Sequence, residues 1–164
     1  MCIRDRLWTG LYPSEIAFGP EYLWPALLEE NDTTAELLSR AGYQTSVVMA
    51  TDYFERVVGF FQGYDEVLQA DEHDPPRDWA VNAALPRIRR LAASGAPWLS
   101  WVHLYNCHGP YLQDGVPSAF GPEQIDLYDT EIGLAGVQVR RLLDELERLG
   151  VAERTIVVLS LIHI

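Results

Sequence analysis

The sequence predicts an α/β fold, a mainly parallel sheet with helices on both faces. Three observations carry this. Short β-branched and aromatic runs alternate with longer segments of helical period, in the order helix, strand, helix, strand, helix, strand. Strands separated by helices imply crossover connections and parallel pairing. The chain has 164 residues, 48% hydrophobic and 22% charged, which suits one folded domain with a sizeable core and excludes a disordered chain.

The elements follow in order. Residues 7–25 are rich in Gly, Pro and aromatics without a period, and read as loop. Thr33 and Glu36 form a capping box that opens a helix over 33–41, with Ala35, Leu37, Leu38 and Ala41 as its apolar face and Gly42 to end it. Residues 43–50, YQTSVVMA, read as a buried strand. A short helix over 52–58 and a turn with a short extended piece over 59–68 come next, followed by the acidic, proline-bearing loop 71–78. Residues 79–93 are helical, with Pro86 predicting a kink or a start near it, and Gly95 and Pro97 predicting the stop. Residues 98–104, WLSWVHL, read as the second strand and 105–125 as a long loop. The strongest helical period spans 126–149, where Ile132, Ala135, Val139, Leu142, Leu143, Leu146 and Leu149 recur at three and four and Gly150 caps the end. The third strand falls at 155–160.

Charge narrows the partners. There are 12 basic and 24 acidic residues, a net charge of −12. That field argues against nucleic acid or an anionic membrane surface. Every basic residue is arginine, so lysine chemistry is excluded from this chain. No apolar run reaches the ~18 residues of a membrane helix. Two cysteines, Cys2 and Cys107, form no scaffold or C-x-x-C pair and leave the redox compartment and localisation open. The two ends, MCIRDR at 1–6 and the tail at 161–164, read as non-native and resemble translated sequencing adapter at contig edges; residues 7–160 are then a partial domain. The alternative is a short native arm and a C-terminal strand.

In a parallel sheet, ligands bind beyond the carboxyl ends of the strands. The loop after the second strand, YNCHGPY at 105–111, therefore places Asn106, Cys107, His108 and Tyr111 where chemistry occurs. Gly109 and Pro110 fix the turn, and His108 can contact an anion or protonate a leaving group. Cys107 reads as a structural small residue, since adjacent side chains point apart. His103, within the strand, reads as a satisfied core histidine. Asp71, Glu72, His73 and Asp74 read as a solvated charge run rather than a cation site, and Asp129, Glu131, Asp144, Glu145 and Glu147 as the solvent face of the last helix.

Five phrases, TGLYPSE (9–15), TTAELLSRAGYQT (33–45), GFFQGYDEV (59–67), WVHLYNCHGPY (101–111) and the 128–160 stretch beginning YDTEIG, together resemble sulfatases of the alkaline-phosphatase-like superfamily. The resemblance implies a metal-dependent sulfuric ester hydrolase acting on a small-molecule or glycan sulfate ester, with Ca²⁺ or Mg²⁺ in the intact protein. His108 of the H-x-P-Y phrase would be the catalytic contact to the ester, with Tyr111 beside it. The family's formylglycine motif C/S-x-P-x-R has no match at 1–8, Cys2 and Arg6 being wrongly spaced. Its Asp-His-Gly metal phrase has no match after 155–159, and His163 is not read as that ligand. A GKWHLG phrase is replaced by VMATDYF, and an aspartate of the last helix by Gly136. No metal ligands are therefore expected in this chain, and it is expected to be inactive alone. The alternatives are part of a phosphate-ester hydrolase or phosphoryl transferase of the same superfamily, and a non-enzymatic α/β binding module.

Overall fold

A computed structural model of the chain describes residues 8–12, 14–19, 26–52, 59–71, 75–112 and 115–160. The expected short helix at 52–58 falls mostly outside them. So do the two ends.

The sheet is built around one fully buried strand. In β1 (Gln44–Met49) every residue from Thr45 to Met49 is buried, as the β-branched run requires of a strand covered on both faces. It is flanked by β2 (Glu66–Gln69) and β3 (Trp98–His103), and both pairings are parallel. Ser46 pairs with Glu66 on one side and Ser100 on the other, and Met49 pairs with His103. The parallel α/β class read from the sequence is the class observed.

Two strand readings need correction. The short extended piece is a true strand, β2, because the free edge of β1 supplies its hydrogen-bond ladder. Residues 155–160, read as the third strand, form no strand ladder among the described residues, and Ile156 and Val158 are 92% and 74% exposed. A β-branched run favours extended backbone, but a strand also needs a neighbour.

Helix α1 (Thr34–Arg40) begins at the predicted capping box. The Glu36 N–H donates to Thr33 Oγ1 at 3.1 Å, and the Thr33 N–H donates to Glu36 Oε2 at 2.8 Å. Helix α2 (Trp79–Ser94) neither starts nor stops at Pro86. The missing N–H of Pro86 leaves the helical ladder one bond short. The next residue, Arg87, donates from Nη1 to the Ala83 carbonyl at 2.8 Å. The apolar face of α2, Ala80, Ala84 and Ile88, packs on Val48 and Ala50 of the β1 segment, with Leu146 and Val151 in the same cluster. The opposite sheet face is covered by Trp8, Ile16, Leu27 and Phe60, packed on Val47 and Met49.

Helix α3 (Gln124–Arg148) carries a second correction. Glu131 and Glu145, expected on the solvent face, are 3% and 7% exposed, and Gln138 between them is 8% exposed. These three are seven residues apart, so they share one stripe. Glu131 pairs with Arg77, and Glu145 accepts from Arg89 Nε of α2 at 2.6 Å. Gln138 binds Arg141, whose Nη2 donates to Asn82 of α2 at 2.6 Å. A polar seam therefore joins α3 to α2, while Ile132 of the predicted apolar face is exposed. Among the described residues no helix is long and apolar enough to cross a membrane.

Candidate active site

The loop leaving β3 stands at the carboxyl end of the parallel sheet. The His108 N–H donates to the Tyr105 carbonyl at 3.0 Å, which closes a tight turn. His108 is exposed, outside the core, and its ring stacks on Tyr105 with centroids 4.4 Å apart and planes 15° apart. Its Nδ1 lies 2.8 Å from the Gly109 carbonyl. A carbonyl only accepts, so this contact places a proton on Nδ1. Nε2 is then the nitrogen left for a ligand: an acceptor in the neutral ring, a donor in the imidazolium.

Tyr111 is half-buried, against Tyr128 of α3 at 5.6 Å between ring centroids. A Cβ on Gly109 would sit 3.8 Å from the Tyr111 ring, so that ring packs over Gly109. Asn106 Nδ2 donates to the Arg77 carbonyl at 3.3 Å. Cys107 is half-buried. Burial first, and then the charge of Glu131, push its thiol pKa up. The thiol is thereby kept protonated and is a poor nucleophile, in keeping with a structural role.

The remaining flagged residues are elsewhere. His103 is half-buried at the end of β3, 6.3 Å ring to ring from Tyr105. His73, with Glu72 and Asp74, lies outside the described residues, as do Cys2 and His163. Among the described residues no three of His, Cys, Asp and Glu converge as a metal site. A depression of about 440 Å³ lies at the 9–15 phrase, lined by residues that include Thr9, Glu15, Glu30 and Asp32. His108 is not part of it.

The residue that sequence reasoning misses is Glu131. Its Oε1 accepts from the Leu112 N–H at 2.9 Å, and its Oε2 meets the Arg77 guanidinium. The seven-residue polar spacing along α3 is the one signal that marks it in the sequence.

A family model described as Sulfatase matches residues 2–160. The chain belongs to the sulfatase family. Among solved structures it is similar to the lipoteichoic acid synthase LtaP from Listeria monocytogenes, with a TM-score of 0.67 and 16% identity over 90% of this chain and 40% of that one. It is also similar to a protein in the alkaline phosphatase superfamily from Vibrio parahaemolyticus, with a TM-score of 0.50 and 17% identity over 84% of this chain and 38% of that one. Both likenesses define an alkaline-phosphatase-like fold. The chain spans about two fifths of the length of either structure. No curated protein sequence matches it.

Proposed function

We propose that this chain supplies the histidine edge of an ester-cleaving site, in a hydrolase that acts on a sulfate ester. The observation that supports this is the placement of His108: exposed, at the carboxyl end of the parallel sheet, with Nδ1 against the Gly109 carbonyl and Nε2 open among the described residues. The Gly109 carbonyl holds the tautomer and Tyr105 holds the ring plane. In its protonated form the ring donates from Nε2 to an anionic ester oxygen, or passes that proton to the departing alkoxide. Tyr111 borders the same loop as a substrate contact.

Members of the family generally use a divalent metal. The described residues do not fit one. Among the described residues no three of His, Cys, Asp and Glu converge, and the Glu131 carboxylate is committed to Arg77 and the Leu112 N–H.

A phosphate-ester reading stands second. It is favoured by the structural likeness to a lipoteichoic acid synthase and by Gly136, where the resemblance leads one to expect aspartate.

The test is turnover of an aryl sulfate and an aryl phosphate by the whole protein and its His108→Ala variant. A loss of ~10²-fold or more on one ester is expected, since a positioned general acid supplies about that much. Unchanged kcat and kcat/KM on both esters would sink the assignment. The ester that shows the loss decides between sulfate and phosphate.

A further inference from the structure

The His108 loop is held at both ends by one ion pair, a half-buried arginine on a buried glutamate. Arg77 contributes twice: its carbonyl accepts from Asn106 Nδ2 at 3.3 Å, and its guanidinium meets Glu131. Glu131, 3% exposed on α3, uses its other oxygen to accept from the Leu112 N–H at 2.9 Å. Asn106 and Leu112 bracket His108 on either side. Leu112 has φ +55°, the left-handed region that a leucine rarely adopts. The charge-assisted bond to Glu131 holds it there. One turn before Glu131 on the same helix, Tyr128 meets Tyr111. The N-terminal third of α3 thus grips the far side of the loop, and Arg77 grips the near side.

We propose that Glu131 is the positioning residue of this site: through Leu112 and Arg77 it sets where His108 stands relative to the ester. The proposal rests on His108 being the ester contact, and it deepens that reading. Glu131 touches no substrate in this scheme. A residue that serves folding alone could be replaced without altering what His108 recognises. A positioning residue could not, because a misplacement of about 1 Å costs on the order of 10²-fold in rate.

The experiment uses the 164-residue chain and inorganic sulfate and phosphate as probes. The His108 ring is followed by NMR during anion titration, and amide exchange is followed at 105–112, in the wild type, Glu131→Gln and Glu131→Asp. In the wild type the Leu112 amide should exchange at least about 10-fold more slowly than that of exposed Gly109, as a bonded buried amide does. Glu131→Gln should erase that protection and weaken the anion-dependent His108 shift by roughly 10-fold. Glu131→Asp, which keeps the charge, should restore part of both. If the Leu112 amide of the wild type exchanges as fast as that of Gly109, the clamp does not exist, whatever the variants do. If Glu131→Gln leaves the His108 titration and the loop exchange unchanged, positioning is overturned. If the wild-type ring ignores both anions while Glu131→Gln still loosens the loop, the clamp stands and the assignment of His108 fails.

Discussion

The imidazole of His108 lies almost flat on the phenol ring of Tyr105, with centroids 4.4 Å apart and planes 15° apart. The exposed ring thereby gains a support without being buried. Its own contacts to the core are few. His108→Ala should therefore change unfolding free energy by no more than about 0.5 kcal/mol, as for most surface positions. Urea unfolding of wild type and variant decides this. A loss above about 1.5 kcal/mol would mean the histidine belongs to the fold rather than to a site.

Gly63 has φ +80°, and a Cβ built on it would lie 2.2 Å from the backbone nitrogen of Glu36 in α1. The obstacle is helix backbone, which cannot step aside. Gly63→Ala should destabilise the chain by about 3 kcal/mol or more, combining the strain of a left-handed alanine with overpacking. For a chain of this size that lowers Tm by roughly 6–12 °C. A fall of under 2 °C by calorimetry contradicts the close approach of the 59–63 turn to α1.

Glu145 is held by Arg148 first and Arg89 second, which draw its pKa from the ordinary 4.5 down to about 2. A carboxylate depressed in the folded state stabilises it above the unfolded pKa. That contribution is lost as pH falls from about 4.5 towards 2. The stability gap between wild type and Glu145→Gln should be widest at neutral pH and close across that window. Urea midpoints measured along the acid limb test it, and a gap that widens on acidification reverses the sign and refutes the pairing.

Ser46 is fully buried in β1, and its hydroxyl finds no hydrogen-bond partner among the described residues. Neither does that of Ser100, its register neighbour on β3. A buried hydroxyl without a partner costs about 1–3 kcal/mol. Ser46→Ala should therefore raise the urea midpoint at constant m-value, with a gain of roughly 0.5–2 kcal/mol. A destabilised variant shows that the hydroxyl is bonded in solution.

Much of this architecture is written in local patterns. The capping box at Thr33 and Glu36, the buried run of β1, the aromatic run of β3 and the helices α2 and α3 are all legible, because capping, period and β-branching act over a few residues. The alternation of those elements dictates parallel pairing, and parallel pairing sends the His108 loop to the carboxyl edge. The five phrases shared with sulfatases carry the family. Tertiary structure alone decides the rest. Glu66–Gln69 is a strand because β1 offers an edge, whereas 155–160 is as extended a sequence and finds no neighbouring strand among the described residues. Glu131 and Glu145 are not marked as buried by their local sequence, since the arginines that meet them from outside α3, Arg77 and Arg89, stand 54 and 56 residues away. Leu112 takes a left-handed turn that its own side chain disfavours. An ion pair or a strand ladder depends on groups that only the folded chain brings together, and for that reason the loop is legible in the sequence while the clamp that positions it is not.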